Sequence, residues 1–247
     1  MTQNTSGPLV SIIIPAYNEE RRLPATLAAL DEFAQNPAHA HITLEAIVVD
    51  NASSDGTNAI ASAFAAAHPY VRVIREMTRG KGAAVKAGIF EGRGEYLFMC
   101  DADLSMPMSE LPKFFSPKLD GYDVAIGTRE GPGANRFDEP SSRHLQGRVG
   151  TLLTKIMVGL PYEDTQCGYK SIRREPARKI FEKQTLNGWG FDIEILFIAR
   201  RMGYKIAEVP IDWYYRAESR VRPGIDALKT LRELWHVRQN ARKGMYG

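Results

Sequence analysis

Short apolar runs alternate with segments of helical spacing over the first hundred residues, and this alternation restricts the fold more than any other feature. The apolar runs predict four strands, at Val10–Ile14, Glu45–Val49, Val71–Ile74 and Tyr96–Cys100. The segments between them predict helices, at Leu23–Phe33, at Thr57–Ala67 and from Gly80 to Phe90. This order is typical of an α/β fold with a doubly wound, mostly parallel sheet flanked by helices.

The second half of the chain is less regular. Val124–Gly127 predicts a further strand, and the Gly-, Pro-, Ser- and Arg-rich stretch Arg129–Gly150 predicts a mobile loop. Pro210 within Ile206–Ile211 favours a strand at the edge of the sheet. Helical spacing predicts four helices, at Leu152–Leu160, Glu175–Phe181, Phe191–Met202 and Ile225–Arg242.

Composition indicates a soluble globular chain. Of the 247 residues, 44% are hydrophobic and 25% are charged, which excludes disordered and fibrous proteins. No apolar run approaches the roughly 18–20 residues of a membrane-spanning helix, and the N-terminus has no secretion signal pattern. Two cysteines are too few for a disulfide scaffold. We therefore expect a cytoplasmic protein, with 1–8 as a flexible N-terminus, 9–222 as the main domain (halves 9–104 and 105–222) and 223–247 as a C-terminal helix and tail.

Three of the predicted strands end directly on polar clusters. These are Tyr17-Asn18-Glu19, Asp50-Asn51 and Asp101-Ala102-Asp103. In parallel sheets ligands bind beyond the carboxyl ends of the strands, so these clusters predict the site. The first strand end has no glycine, and Gly80-Lys81-Gly82 is not followed by Ser or Thr. A Rossmann dinucleotide fingerprint and a P-loop are thus both absent.

Asp101 and Asp103 are candidate metal ligands. Alternate residues of an extended chain point in opposite directions, so both carboxylates reach one ion only if the chain turns here. A strand end permits such a turn. Mg²⁺ or Mn²⁺, with a diphosphate completing the coordination shell, suits a pair of carboxylates.

Four collinear motifs resemble the family-2 inverting glycosyltransferases of the GT-A fold, over about residues 9–235. They are Ile14-Pro15-Ala16-Tyr17-Asn18-Glu19-Glu20, Val48-Val49-Asp50-Asn51-Ala52-Ser53-Ser54-Asp55-Gly56-Thr57, Arg79-Gly80-Lys81-Gly82 and Asp101-Ala102-Asp103-Leu104-Ser105. Downstream stretches look most similar to the polyprenyl-phosphate hexosyltransferase branch, which includes dolichyl-phosphate glucosyltransferases and mannose synthases. These stretches are Asp164–Lys170, Trp189–Glu194 and Val209–Trp213.

The resemblance implies roles for these motifs. It implies that Asp103 is the principal metal ligand, that Asp101 contacts ribose or metal, and that Lys81 and Gly82 close over the nucleotide. The other implied nucleotide-binding residues are Pro15, Ala16, Tyr17, Glu19, Asp50 and Ala102. In the family an acid near Asp164 or Asp192 faces the donor sugar or the acceptor, so both are candidate catalytic residues beside Asp103. Asp192 could equally cap a helix. Glu194 lies two residues further on and points in a different direction in a helix.

A lipid-phosphate acceptor is already an anion and needs cations rather than a general base. Arginines are plentiful near the predicted acceptor half: Arg129, Arg136, Arg143, Arg148, Arg216, Arg220 and Arg222. Of these we select Arg129, Arg143 and Arg220 as acceptor-phosphate contacts.

The C-terminal fifth of the chain is basic. Residues 200–247 hold eleven Lys and Arg against five Asp and Glu, although the net charge of the whole chain is only +3. The final predicted helix places apolar residues and Trp235 largely on one face with basic residues around them, which suits an anionic membrane surface. Packing on the domain or a homodimer contact is the alternative. Nucleic-acid binding is disfavoured because no known nucleic-acid-binding motif is present.

The resemblance predicts metal-dependent transfer of glucose from UDP-glucose to a polyprenyl phosphate. Mannosyl transfer from GDP-mannose and transfer onto a sugar hydroxyl are the alternatives within the family. A nucleotide-sugar binding module without catalysis is the alternative of another class.

Overall fold

The computed structural model describes residues 9–215 and 225–246. The strands are β1 (Val10–Ala16), β2 (Leu44–Asp50), β3 (Val71–Arg75), β4 (Tyr96–Met99), β5 (Val124–Thr128), β6 (Asn135–Phe137), β7 (Lys170–Arg173), β8 (Ile206–Pro210) and β9 (Asp212–Tyr214). The α-helices are α1 (Leu23–Gln35), α2 (Thr57–Ala67), α3 (Lys81–Glu91), α4 (Ser141–Val158), α5 (Arg174–Lys183), α6 (Phe191–Arg201) and α7 (Ile225–Arg242). Short 3-10 helices occur at Pro37–His39, Met108–Phe115 and Pro117–Leu119.

The main sheet has seven strands in the order β3-β2-β1-β4-β7-β5-β8, and β6 pairs with β9 in a separate ribbon. The first four strands are parallel to one another, as the alternation of strands and helices predicts. β8 lies at the edge of the sheet, which confirms the inference from Pro210. The α/β prediction is therefore correct, and the carboxyl ends of β2, β1 and β4 are neighbours.

Strand β7 is antiparallel to both β4 and β5 and was not predicted. Its sequence, Lys-Ser-Ile-Arg, contains one apolar residue, so no hydrophobic pattern marks it. Its backbone nevertheless joins the two halves of the sheet, because Phe98 on β4 pairs with Ser171 and Ala125 on β5 pairs with the same residue. Tertiary pairing outweighs the local signal here.

The prediction of a mobile loop over Arg129–Gly150 is wrong in two places. Asn135–Phe137 forms β6, and helix α4 begins at Ser141 and continues to Val158, so the predicted Leu152–Leu160 helix is only its second half. The glycines and prolines of the stretch all precede Ser141, apart from Gly147 and Gly150. Two helical glycines lower the intrinsic preference for a helix but do not prevent one.

Apolar side chains cover both faces of the sheet. On β1, Ile12 and Ile14 pack in the cluster that holds Leu27 of α1, whereas Ile13 packs with Val85 of α3 on the other face. Strands buried on both faces read as continuous apolar runs, which is why β1 and β2 were predictable.

Helix α7 has the predicted bounds, Ile225–Arg242. Its Leu234 and Val237 side chains are buried in the core cluster on the α3 face of the sheet, whereas Trp235 is exposed. For these two apolar residues the structure therefore supports packing on the domain rather than contact with a membrane. Within the described ranges, no helix combines the length and apolar composition needed to cross a bilayer.

Candidate active site

The polar turns that follow β1 and β2 are hydrogen-bonded to each other. The backbone N–H of Asn18 donates to Ser53 Oγ at 3.0 Å, and the backbone N–H of Ser54 donates to the Asn18 side-chain oxygen at 2.8 Å. Asn18 and Ala52 adopt positive φ angles of 52° and 53°, which residues other than glycine rarely do. The two strand ends therefore form one connected edge, as predicted.

Asp50 and Ala16, both expected to line a nucleotide pocket, are enclosed. The fully buried Asp50 carboxylate accepts from the Ser53 backbone N–H at 3.0 Å and from the Asn58 amide at 3.1 Å. Arg75 Nε lies 3.4 Å from its second oxygen. Ala16 is likewise buried. Neither side chain is exposed at the edge, and contact of either residue with a nucleotide stays a prediction.

Pro15, Tyr17 and Glu19 are partly exposed at the same edge. The Arg22 guanidinium donates to both oxygens of the Glu19 carboxylate at 2.6 Å. The Arg79 guanidinium lies 5.7 Å from the centroid of the Tyr17 ring. Glu19 is thus charge-compensated, and Tyr17 brings an aromatic face to the edge where a base is predicted.

Asn51 fixes the loop that precedes α3. Its amide group donates to the carbonyls of Glu76 and Thr78 at 3.1 and 2.7 Å, and its oxygen accepts from the Gly80 N–H at 2.8 Å. Gly80 has φ of 130°, and a Cβ at this position would lie 2.1 Å from the carbonyl oxygen of Asn187. The sequence analysis assigned Asn51 only to a polar turn and missed this role. Its position directly after a strand was the signal that could have marked it as a functional residue.

Gly82 lies at the buried start of α3. Its N–H donates to the Asn187 carbonyl at 2.8 Å, and a Cβ would lie 2.5 Å from the Leu186 carbonyl oxygen. The absence of a side chain therefore lets α3 contact the 184–187 backbone closely. Closure of Gly82 over a nucleotide stays a prediction.

The Lys81 ammonium joins α3 to the acidic turn after β4. Its Nζ lies 2.5 Å from Asp101 Oδ1 and 5.2 Å from the centroid of the Trp189 ring. Burial alone would lower the pKa of Lys81, but the carboxylates of Asp101, Asp192 and Asp103 outweigh it and raise the pKa. Lys81 is therefore a permanent cation beside the predicted metal ligands.

The chain turns directly after β4, as shared binding of one ion by Asp101 and Asp103 requires. The Ser105 N–H donates to Asp103 Oδ1 at 2.9 Å, Ala102 is buried, and Leu104 has φ of 51°. Among the residues that the structure describes, no three His, Cys, Asp or Glu side chains converge as a metal site. Proteins commonly hold Mg²⁺ with one or two carboxylates plus substrate phosphates, so the pair fits a cation whose shell a diphosphate completes.

Gly168 leaves room for the Asp101 carboxylate. A Cβ at this position would lie 2.0 Å from Asp101 Oδ2 and 2.6 Å from Asp101 Cγ. Any side chain at residue 168 would therefore push the carboxylate out of its contact with Lys81. This gives a geometric reason for a glycine within the Asp164–Lys170 stretch.

Lys170 on β7 is fully buried and pairs with Asp192 in the first turn of α6. Its Nζ lies 2.5 Å from Asp192 Oδ1 and donates to the Cys167 carbonyl at 2.5 Å. Asp192 is itself buried, and its charge also acts on Lys81. Lys170 ends the Asp164–Lys170 stretch noted in the sequence, but no local pattern marked it as a site residue or indicated its partner. The catalytic role of Asp192 stays a prediction.

Glu194 and Asp192 point in different directions, as predicted. The Glu194 carboxylate accepts from the backbone N–H groups of Thr185 and Leu186 and from the Thr185 hydroxyl. The Tyr246 hydroxyl donates to it at 2.6 Å. Glu194 thus ties α6 to the C-terminal segment.

The structure brings Arg129 and Asp164 together at the end of β5. The Arg129 Nε and Nη2 atoms donate to the two Asp164 oxygens at 2.6 and 2.9 Å, and the guanidinium lies 5.3 Å from the centroid of the Trp213 ring. Burial alone would raise the pKa of Asp164, but the Arg129 charge outweighs it and lowers the pKa. Asp164 therefore stays ionised at neutral pH and holds Arg129 in place.

Asp164→Asn should destabilise the protein by about 1–3 kcal/mol at pH 7, because it leaves the largely buried Arg129 guanidinium without its counter-ion. The lowered pKa in the folded state means that the carboxylate stabilises above its unfolded pKa, about 4, and loses this effect as the pH falls further. In urea unfolding, the gap between wild type and variant should be constant from about pH 7 to 5 and narrow below about pH 4. A gap that widens in acid would contradict this reading.

The other candidate arginines differ in their surroundings. Arg136 is paired with Glu130 and Glu139, at 2.7 and 2.5 Å, and Arg148 lies 3.2 Å from Glu163. The remaining candidates lie outside the described residues: the side chain of Arg143 on α4, and all of Arg216, Arg220 and Arg222. Their predicted contacts with an acceptor phosphate stay predictions.

Both cysteines are buried. Burial raises the pKa of the Cys100 thiol well above its ordinary value, and that of Cys167 to about 12. Both thiols are therefore enclosed and protonated near neutral pH, which disfavours a cysteine nucleophile.

Comparison with known proteins identifies the family of the chain. The glycosyl transferase family 2 profile matches residues 11–181. A dolichyl-phosphate beta-glucosyltransferase of Trichomonas vaginalis is 34% identical over 224 residues, 86% of this chain and 66% of that protein. The mouse dolichyl-phosphate beta-glucosyltransferase is 32% identical over 93% of this chain and 74% of its own length. The chain thus spans about two thirds to three quarters of these two relatives.

A bacterial relative and a solved structure complete the comparison. The undecaprenyl-phosphate mannosyltransferase of Micrococcus luteus is 35% identical over 87% of this chain and 88% of its own length. Glucosyl-3-phosphoglycerate synthase from Mycobacterium tuberculosis, solved with Mn²⁺, UDP and glucosyl-3-phosphoglycerate, is 20% identical. It superimposes with a TM-score of 0.67 over 94% of this chain and 80% of that one, and so shares the fold. With the family profile matched over more than half of its length, the chain belongs to glycosyl transferase family 2.

Proposed function

We propose that the chain transfers glucose from UDP-glucose to a polyprenyl phosphate, with inversion at the anomeric carbon and with a divalent cation. The observation that carries the proposal is that the Lys81 ammonium lies beside the carboxylates of Asp101 and Asp103 at the end of β4. Curated relatives at 32–34% identity are named as dolichyl-phosphate beta-glucosyltransferases, which supports the choice of sugar and acceptor.

On the donor side, the chain offers groups for a nucleoside diphosphate. The partly exposed ring of Tyr17 and the backbone around Pro15 would contact the base, and the Lys81 cation would contact the diphosphate. The Lys81 ammonium, held 2.5 Å from Asp101 Oδ1, would offset the negative charge that grows on the leaving group. The half-exposed Trp189 ring, with its centroid 5.2 Å from Lys81 Nζ, would cover one side of this contact.

Asp103, with Asp101, would hold Mg²⁺ or Mn²⁺. A divalent cation there would neutralise charge on the departing diphosphate. The Ser105 N–H orients Asp103, and Gly168 leaves space for Asp101. Lys81 competes for Asp101 in this structure, which favours Asp103 as the principal ligand.

On the acceptor side, Arg129 would contact the phosphate of the lipid. Its Nε and Nη2 atoms are occupied by Asp164, which fixes the plane of the guanidinium against Trp213. Arginine binds phosphate more specifically than lysine because its donors are planar. Arg143 and Arg220 are proposed as further contacts. A phosphate attacks as an anion, so no general base is required.

A mannosyl donor is the second candidate, because the Micrococcus luteus relative covers most of both chains and is named as an undecaprenyl-phosphate mannosyltransferase. A sugar-hydroxyl acceptor would demand a carboxylate base, and the two buried candidates, Asp164 and Asp192, are each paired with a cation. This pairing disfavours the hydroxyl acceptor.

The experiment is a transfer assay with UDP-glucose, GDP-mannose and dTDP-glucose as donors and a short-chain prenyl phosphate as acceptor, with Mn²⁺, Mg²⁺ or a chelator. We expect a glucosyl lipid from UDP-glucose, and loss of product with the chelator. Product from GDP-mannose alone would show that the donor is GDP-mannose and not UDP-glucose. Binding of nucleotide sugars without transfer or donor hydrolysis would indicate a binding module.

A further inference from the structure

Four aliphatic side chains stand exposed in a line along α4. They are Leu145, Val149, Leu152 and Ile156, and each is between 51% and 69% exposed. At 100° per residue these four positions fall within about 60° of one another around the helix. Thr154 and Val158 of the same helix fall on the opposite side and are buried. The helix therefore has a packed face and an apolar outer face, here called the α4 stripe.

We propose that the α4 stripe docks on the surface of a lipid bilayer that contains anionic lipid. An amphipathic helix with a continuous apolar face can lie in the plane of a membrane interface with that face among the acyl chains. The proposal deepens the proposed function, on which it partly rests, because a polyprenyl phosphate is presented from a membrane.

The charge of the neighbouring helix complements an anionic surface. Helix α7 packs against α4, and its exposed basic residues are Lys229, Arg232, Arg238 and Arg242, followed by the exposed Lys243 directly after the helix. Trp235 of α7 is 52% exposed, and tryptophan favours the boundary between headgroups and acyl chains. Basic side chains near an anionic leaflet add to the binding that apolar contact provides.

A second copy of the chain fits the α4 stripe less well. The stripe is about 16 Å long and the helix about 10 Å wide, so it offers roughly 160 Å² of face. A stable protein interface buries about 800 Å² on each partner. A fluid lipid surface has no such minimum area, since each inserted side chain contributes separately.

The N-terminal end of α4, where the α4 stripe begins, lies beside the predicted acceptor site. His144, on the first turn of α4, lies 3.1 Å from Glu130, and Arg148 on the next turn lies 3.8 Å from the same carboxylate. Glu130 directly follows Arg129, the proposed phosphate contact. A membrane on the stripe would thus bring lipid headgroups to the end of α4 that adjoins Arg129.

The test is co-sedimentation with vesicles of phosphatidylcholine and phosphatidylglycerol that contain neither donor nor polyprenyl phosphate. We expect the wild type to pellet with the vesicles and Ile156→Glu and Ile156→Gln to bind about tenfold or more weakly. Met77→Glu is the matched control, because Met77 is 67% exposed and Ile156 is 69% exposed, and it should pellet like the wild type. Thermal unfolding should be unchanged in all three variants.

Several results would overturn the proposal: no pelleting of the wild type, equal pelleting of Ile156→Glu, or equal loss in Met77→Glu. A dimer in solution that Ile156→Glu dissolves, without lipid binding, would reassign the stripe to self-association. A water-soluble short-chain prenyl phosphate separates the two proposals, since Ile156→Glu should still use it as well as the wild type does. If the wild type pellets but transfers no sugar to it, the proposed function fails and the docking surface stands.

Discussion

Asp103→Asn should lower the rate of sugar transfer by about a hundredfold or more and leave the protein folded. Asparagine keeps the side-chain oxygen that accepts from the Ser105 N–H at 2.9 Å, so the turn after β4 is preserved. It removes the negative charge that a divalent cation requires. The measurement is the transfer rate together with Mn²⁺ binding in the presence of UDP, followed by the thermal shift.

The control for this variant is Asp120→Asn, which removes one exposed carboxylate away from the strand-end edge. It should leave both the transfer rate and Mn²⁺ binding unchanged. Transfer by Asp103→Asn within about twofold of the wild type, with intact Mn²⁺ binding, would exclude Asp103 as the principal ligand.

Lys170→Met should destabilise the protein by about 3–5 kcal/mol, because the buried Asp192 carboxylate would lose the cation that compensates it. Methionine is unbranched and similar in length, so it fills the buried space that the lysine side chain occupies beside β7. The wild-type pair is short, at 2.5 Å, and both side chains are almost fully buried. Urea unfolding at neutral pH gives the free energy difference.

The double variant Lys170→Met, Asp192→Asn distinguishes loss of the charge pair from loss of packing. Once both charges are gone no isolated ion remains, so the double variant should be more stable than Lys170→Met alone. A loss below about 1 kcal/mol in Lys170→Met, or strictly additive effects, would show that the pair contributes little to the fold. The transfer rate of the double variant, compared with that of Lys170→Met, reports on the loss of the Asp192 carboxylate.

The buried charge pair also shows why part of the site was not predictable. Lys170 and Asp192 are 22 residues apart, and neither lies in a pattern that marks a partner. Only the antiparallel insertion of β7 beside β4 brings the lysine under the first turn of α6. Asp101 and Asp103, in contrast, directly follow a predicted strand, and Lys81 lies at the start of a predicted helix. Their position at one edge therefore followed from the parallel order of the strands.

Helix α4 is a second element that the sequence did not predict in full. Polar and glycine residues within its first turns concealed the spacing of Leu145, Val149, Leu152 and Ile156, although these positions are helical in period. Whether such apolar positions face the core or the exterior depends on what packs against the helix. The burial of Thr154 and Val158, which leaves the aliphatic row outside, is decided by the neighbouring elements.

The amino-acid sequence by itself determined the α/β class, the parallel first half of the sheet and the polar edge with its acidic turn. Continuous apolar runs and strand-end residues are local signals, and a parallel sheet brings strand ends together regardless of detail. Only the tertiary structure decided the antiparallel β7, the partners of Asp164 and Asp192, and which face of α4 is exposed. These depend on contacts between segments distant in the chain, whose energies no local pattern encodes.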